Sequence, residues 1–490
     1  MSRPIVVIGS DVDALVAAHY FARAGSRVVV LEQHEHDAGL APGWTPPGIV
    51  HELGLGSDAS GAFEIEQPDP WISVVLPDGG RLDLARDPAR AADAIRRLSA
   101  RDAARWPDFC DRMARLARVL AKLYTAPPPD LLSRDWRELA RIAGLALDVR
   151  RLGRRRMEAF LRLAAMSVAD LLDDWFESDA LKGVLAAAGV IHLCQGPRSG
   201  GTAFRLLHHH VGNAPGVLRP LRSNVHTLLT KRPGIEVRRD SKVSRIGVRD
   251  GHIASVGLAG GEQIATDCVL SGADPRKTLL QWLDPGWLDP EFTRAARHVR
   301  ARGVVARVEL ALERAPGFTT IAIAPSLDHL ERAYDEAKYG RVSTEPYVEA
   351  RAFTSESQHR VSAHVQYAPH TLANAHWGDS ERIRLGDAVV GALNRAVPGF
   401  AALVAGRRIL APPDLEARYG YPEGQAYHAE LTLDQALWMR PLPGWAAYRT
   451  PIAGLYLCGP GTHPGGGIAG AAGANAARIV LSDLRGKERE

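Results

Sequence analysis

Cysteine is scarce: only Cys110, Cys194, Cys268 and Cys458 occur in 490 residues, and no two stand at Cys-x-x-Cys spacing. That argues against structural zinc, a dithiol redox centre and a disulfide framework, and it suits a reducing cytoplasm. Lysine supplies only seven of the sixty basic residues. An arginine-rich, alanine-rich chain suggests a GC-rich genome before it suggests phosphate recognition. A formal net charge of +4 is too near balance to mark a nucleic-acid binder. Arg3 is followed at once by Ile5, Val6, Val7 and Ile8, which leaves no room for an export signal. The longest run free of Asp, Glu, Lys and Arg, residues 450–477, holds eight glycines and three prolines. It therefore reads as strand, loop and helix rather than as a bilayer span. With 46% apolar and 24% charged residues the chain is an ordinary globular one with room for two or three domains.

The clearest local organisation lies at residues 5–32. A strand of Ile5, Val6, Val7 and Ile8, a turn at Gly9, a helix reaching about Ala24, a stop at Gly25 and a second strand ending at Glu32 make a βαβ dinucleotide-binding unit. Helical spacing puts Leu15, Ala18 and Ala22 toward the sheet. Glu32 stands where a carboxylate accepts the adenosine ribose hydroxyls, and Gly9, Ser10 and Ala14 frame the phosphate turn. The G-x-G-x-x-G pattern is altered, because its second glycine is Asp11 and Asp13 follows. A carboxylate about 5 Å from a diphosphate charge costs roughly 3 kcal/mol at an effective dielectric near 20. Asp11 and Asp13 would also satisfy the helix N-terminus that a phosphate normally satisfies.

At the other end, Ala429, Glu430, Leu431, Thr432, Leu433, Asp434 and Gln435 lead to Met439, Arg440 and Pro441, and then to Pro443, Gly444, Trp445, Tyr448, Arg449, Thr450 and Pro451. A strand at residues 454–458 feeds a loop running from Gly459, Pro460, Gly461, Thr462, His463 and Pro464 through Gly465, Gly466, Gly467, Ile468, Ala469 and Gly470. A helix follows to about Leu484. Together with Pro47, Gly48, Glu52 and Gly54, residues 170–177, and Gly196, Pro197, Ser199, Gly201, Thr202 and Ala203, this pattern resembles the flavin-dependent phytoene desaturase-like oxidoreductases. Within them it resembles the branch named for pyridine nucleotide-disulfide oxidoreductase domain-containing protein 2.

The resemblance implies an α/β fold in which a Rossmann-type FAD/NAD(P)-binding domain (residues 1–80, 196–285 and 435–490) interleaves with a substrate domain of mixed sheet plus helices (81–195 and 286–434). It implies FAD as cofactor. Gly466, Gly467 and Ile468 would face the flavin ring, Gly459 and Gly461 would let backbone approach the ribityl and phosphate chain, and Val243 would grip adenine. Gly39 would complete the turn after Glu32, and His463 is the one candidate proton-handling group. The substrate implied is an apolar unsaturated small molecule.

Departures cluster at the cofactor: Asp37 and Ala38 precede Gly39, and Arg222, Ser223, Asn224 and Val225 stand where the family has a glycine turn. Two readings follow. One is an FAD-dependent desaturase, dehydrogenase or isomerase. The other is a non-catalytic homologue that has lost FAD and serves as a partner, scaffold or apolar-ligand carrier. A flavin-free nicotinamide dehydrogenase would meet the same objection at Asp11.

Residues 85–195 read as a helical cap broken by the prolines at 127–129. Within it Ile142, Leu145, Ala146, Val149 and Leu152 share a face beside Arg150, Arg151, Arg154, Arg155 and Arg156, an edge that could touch anionic lipid. Residues 300–430 alternate strand-like runs with loops, as a sheet flooring the substrate cavity would. His208, His209 and His210 point in different directions on any regular element, so no metal is expected. A homo-oligomer or a complex with a related enzyme would be compatible with the sequence.

Overall fold

The computed structural model describes residues 3–35, 43–56, 61–76, 78–129, 136–151, 153–355 and 358–487. Strands Ile5–Ile8 and Val28–Leu31 pair in parallel, in register from Ile5 with Val28 to Ile8 with Leu31. They form the centre of a five-stranded parallel sheet completed by Val269–Ser271, Leu455–Leu457 and Glu236–Arg238. Apart from the exposed edge strand Glu236–Arg238, these strands read as apolar runs because both faces are covered. Ile5, Val7, Val28 and Val30 meet the helices Val12–Arg23 and Ala471–Lys487. Val6, Ile8, Val29 and Leu31 meet a three-stranded antiparallel sheet of Val243–Arg249, His252–Leu258 and Gln263–Ala265, with Leu279 and Trp282.

The sheet-facing side of Val12–Arg23 is Ala14, Ala17, Ala18 and Phe21, with Ala22 packed against it, which bears out the expected Ala18 and Ala22 and corrects Leu15. Leu15 and Val16 enter a second core with Ile49, Val225 and Leu228, and Ala22 is half-buried. The reason is crowding, since small residues must face inward for the C-terminal helix to nest alongside. A Cβ on Gly473 would lie 1.8 Å from the Asp13 carbonyl oxygen.

A mixed seven-stranded sheet runs Val404–Leu410, Val305–Leu312, His359–Gln366, Tyr347–Thr354, Thr320–Ile323, Ile72–Val75 and Arg81–Leu84. Ile72–Val75 lies within the segment expected for the nucleotide fold, yet it hydrogen-bonds in this sheet. Alternation decides its faces. Ala306, Val308, Leu310, Val348, Ala350, Val361, Ala363 and Val365 pack on Leu385, Val389 and Leu393 of the helix Asp379–Ala396. The residues between them are polar or charged and face the other way. The stretch from 300 to 430 is thus more than strands and loops, for it also holds the helices Leu327–Lys338, Asp379–Ala396 and Pro412–Tyr419.

Above that polar face lies the expected helical cap. Ala100–Tyr124 starts on Ser99, whose hydroxyl accepts from the Asp102 amide at 3.0 Å. It buries Trp106, Phe109, Met113, Leu116 and Leu120 at helical spacing. Val168–Trp175, Asp179–Val190 and Thr202–His210 pack beside it. Trp136, Leu139, Leu147 and Leu161 of the cap's outer helices are exposed. Of the expected basic amphipathic edge, Leu152 and the side chains of Leu145, Val149, Arg151, Arg155 and Arg156 lie outside the described residues. Among the described residues no helix is long and apolar enough to cross a membrane.

Candidate functional site

A cleft of about 440 Å³ opens at the carboxyl ends of the parallel strands, where open α/β sheets place their ligands. Its first wall is the turn after Ile5–Ile8. Gly9 adopts φ +99, a conformation costly for any other residue, and its amide donates to the Leu31 carbonyl at 2.8 Å. Asp11 caps the helix Val12–Arg23, its Oδ1 accepting from the Ala14 amide at 2.8 Å. Glu32 closes the second strand and accepts from the Ser10 and His34 amides, each at 2.6 Å. The donors of a phosphate turn are therefore turned onto the protein's own carboxylates. Burial, reinforced by the charge of Glu32, raises the Asp11 carboxyl to about 7. Burial and the charge of Asp11 hold Asp13 well above the usual carboxylate range. Asp13 reaches across to accept from the Gly473 amide at 3.3 Å, so it serves the start of the C-terminal helix rather than the cleft alone.

The opposite wall is the C-terminal loop. Gly466, Gly467 and Ile468 line the cleft, as do Gly9, Ser10, Glu32 and Val243. Ala14 does not line it and instead lies in the sheet-facing core. Gly39 lies outside the described residues. Gly459 and Gly461 also stand back from the cleft: a Cβ on the first would sit 2.0 Å from the Gly272 carbonyl oxygen, and on the second 2.6 Å from Pro275. Their glycine identity is explained by packing of the loop on the strand Val269–Ser271, and the residue between them, Pro460, is the one that reaches the cleft.

His463 is 2% exposed and is absent from the cleft wall. Its Nε2 lies 3.1 Å from the Leu123 carbonyl, its ring stacks edge-on against Tyr124, and burial lowers its pKa to about 4. That environment holds a neutral, structural imidazole. The three consecutive histidines diverge as expected, to Gly466, Ala188 and Val217 carbonyls at 2.9, 2.7 and 2.7 Å.

Several lining residues were not singled out by sequence. Tyr427 packs under Gly466, whose Cβ would meet the ring at 1.8 Å. It stands two residues before the C-terminal motif, so extending that motif upstream would have found it. Behind the lining, Arg440 of that same motif is fully buried, and its guanidinium donates to the carbonyls of Tyr427, Ala429, Glu430, Gln435, Pro460 and Thr462. It clamps the loop to the segment before it. His226, at the start of Val225–Lys231, lies 3.0 Å from the Ser10 carbonyl. Lys277, just past the third parallel strand, puts a cation on the cleft, its pKa lowered by burial.

Next to this cleft lies a smaller cavity of about 140 Å³, and Arg222 and Glu66 line both. Its floor is the polar face of the seven-stranded sheet, with Arg307, Glu349, Arg351, Ser362 and His364. His192 joins the two spaces, its ring 4.6 Å from that of Tyr427 and 5.2 Å from that of His364. It sits at φ +59, held by Gln366 on its amide and Gln425 on its carbonyl. Such backbone strain is retained where surroundings over-determine it.

Against known proteins, a model of the flavin containing amine oxidoreductase family matches residues 48–481, and one of the NAD(P)-binding Rossmann-like domain matches residues 7–57. The chain is 30% identical to pyridine nucleotide-disulfide oxidoreductase domain-containing protein 2 of Rattus norvegicus, over 98% of this chain and 93% of that protein. It is 24% identical to the lycopene-forming phytoene desaturase of a Paracoccus species, over 99% and 98%. Among solved structures, a putrescine oxidase triple mutant redesigned in cofactor binding superposes with a TM-score of 0.60 at 14% identity, covering 99% of both chains, which shows the shared fold. With the family model covering most of its length, the chain is a member of the flavin containing amine oxidoreductase family, and FAD is its cofactor.

Proposed function

We propose that the chain lays FAD along the 440 Å³ cleft and oxidises a small molecule held in the adjoining cavity. The observation that carries this reading is the continuity of the space: one cleft runs from the Ser10 turn past Glu32 and Val243 to the Gly466–Ile468 loop, and it adjoins the second cavity at Arg222. The residues present fit such a cofactor along most of its length. Glu32 and Val243 would hold the adenosine end. Lys277 would bring a cation to the diphosphate. The start of Ala471–Lys487 puts the positive end of a helix dipole behind the ring. At the diphosphate itself the fit depends on Asp11, whose raised pKa lets it stand as a neutral acid that donates rather than repels.

When bound, the flavin supplies a two-electron acceptor for a hydride from substrate. The chain's own residues do the rest. Tyr427, on the cleft, and His192, on the cavity, meet where the two spaces adjoin and would orient a substrate there. Arg440 holds the glycine loop in place. His463 takes no part in proton handling in this reading. Glu32, by accepting two backbone amides, also supports the second reading, a homologue whose phosphate site is satisfied without cofactor.

Absorbance between 350 and 500 nm of purified protein, with and without added FAD, separates the two. Flavin bands that survive gel filtration, and that bleach under anaerobic reduction, are expected. A colourless protein with no thermal shift at millimolar FAD overturns the reading in favour of the non-catalytic homologue.

A further inference from the structure

The smaller cavity is lined unlike a site for an apolar polyene. Five of its lining residues are arginines (Arg86, Arg219, Arg222, Arg307 and Arg351), set against two glutamates, Glu66 and Glu349. Strand alternation places two of them, Arg307 and Arg351, on the polar face, and Arg86, Arg219 and Arg222 come from loops. Arg307 lies across from His364, and His364 from Glu349, while Arg351 pairs with Ser362 in the next row. Two of the arginines are fixed as scaffolding. Arg219 bonds Glu349 at 3.0 Å, donates to the Val184 carbonyl at 3.1 Å and stacks on Trp71. Arg351 is paired with Glu66 and stacks on Phe353. Arg307 is braced by Ser362 at 3.1 Å and by Glu309 at 2.8 Å, the latter not part of the lining. The Arg86 amide donates to Asp69 at 3.0 Å.

Within the lining itself arginines outnumber glutamates five to two, and Glu309, the partner of Arg307, lies behind it. Burial lowers His364 to about 4, so it adds no charge to the lining. Burial and the charge of Arg351 lower the Arg222 pKa, against the opposing charges of Glu66 and Glu349. Guanidinium groups held planar and braced match a carboxylate with two parallel hydrogen bonds. The volume, about 140 Å³, is close to that of cavities that accept a benzene ring.

We propose that this cavity is a carboxylate-binding subsite, which anchors a small organic acid of roughly benzene size beside the flavin cleft, with Arg222 and Arg307 as the binding groups. This rests on the FAD reading above, so cofactor and ligand are measured separately on the full chain. The probes are benzoate, its cationic counterpart benzylamine, and inorganic phosphate. Each is titrated into the protein by calorimetry, before and after FAD loading, and the flavin band near 450 nm is followed in the loaded form.

Benzoate is expected to bind at least thirtyfold more tightly than benzylamine and to perturb the flavin band. Arg307→Gln, which lies off the FAD cleft, should weaken benzoate at least tenfold while the FAD dissociation constant stays the same. Arg307→Lys should recover part of that affinity, which separates lost charge from lost folding. Benzylamine binding as tightly as benzoate, or benzoate affinity unmoved by Arg307→Gln and Arg222→Gln, overturns the proposal. Phosphate binding as tightly as benzoate overturns the assignment to carboxylates in favour of a bare anion hole. Benzoate binding to a protein that takes up no FAD would sink the cofactor reading and leave this one standing.

Discussion

The turn at residues 9–14 and the loop at residues 459–470 each carry a buried strand into a helix at the same cleft, and they are finished in opposite ways. In the turn a glycine position has become Asp11, and the backbone donors are returned to Asp11 and Glu32 at 2.6–2.8 Å. In the loop the glycines remain because neighbours leave no room for a Cβ, with 1.8 Å at Gly466 and 2.0 Å at Gly459. The turn is held by electrostatics that a proton or a ligand can change. The loop is held by packing and by the six carbonyls gathered on Arg440. Glycine is thus dispensable at one end of the cleft and obligatory at the other, although both ends line one space.

The sharpest way to break this contrast is to add a methyl group to the loop. Gly466→Ala is expected to cost about 3 kcal/mol, the upper range for overpacking a filled core, read as a loss in urea-unfolding free energy. Because the clash is with the Tyr427 ring, the same substitution in a Tyr427→Ala background should cost under about 1 kcal/mol, a coupling that a double-mutant cycle measures. An equal cost in both backgrounds would show that close approach is not the reason for the glycine.

The reverse change in the turn should be mild for the fold and favourable for the cofactor. Asp11→Gly exchanges one competent helix cap for another, at a cost of a few tenths of a kcal/mol. It also removes a carboxylate whose repulsion of a diphosphate is roughly 3 kcal/mol at 5 Å. At pH 8 we expect FAD to bind ten- to a hundredfold more tightly in Asp11→Gly, by fluorescence titration, with an almost unchanged melting temperature for the cofactor-free protein. Unchanged FAD affinity would mean that the Asp11 carboxylate turns away from the cofactor, and the contrast between turn and loop would be one of packing alone.

The two regions were also unequally legible in the sequence. Strand, turn and helix could be read at both ends because each is a local pattern: four apolar residues, a glycine, then helical spacing. The family match located the C-terminal loop for the same reason, since its residues are contiguous. What escaped the sequence depends on elements far apart in the chain. On Val12–Arg23 Ala18 and Ala22 were placed correctly, but Leu15 was misassigned because its size looked like the core side, whereas the alanines face the sheet to admit a helix some 460 positions later. His463 was selected by its neighbours in the loop, yet its side chain is committed to Leu123 and Tyr124 of the cap. The charged face of the seven-stranded sheet was present in the alternation of Val305–Leu312, Tyr347–Thr354 and His359–Gln366. Only the register of those strands brings their arginines to one cavity.

The smallest expected effect tests whether the turn responds to protons as its construction implies. Burial pushes the Asp11 carboxyl up to about 7 in the folded protein from its ordinary value of 3.8, so the folded state without cofactor holds a proton that the unfolded chain has released above about pH 4. Its contribution to stability is full below the lower value, declines as pH rises through the window, and is gone once pH passes about 7. Cofactor affinity should follow the same proton, since only the neutral acid can donate to a diphosphate oxygen. Between pH 6 and pH 8 the protonated fraction of a group with a pKa near 7 falls about tenfold, and the FAD dissociation constant should rise by up to that factor. Asp11→Asn, which keeps a donor and loses the titration, should flatten the profile, while Gly466→Ser in the packed loop should leave its slope intact in whatever fraction folds. A wild-type affinity that does not change across that interval would place the diphosphate out of reach of Asp11, and the turn would then be as indifferent to protons as the loop.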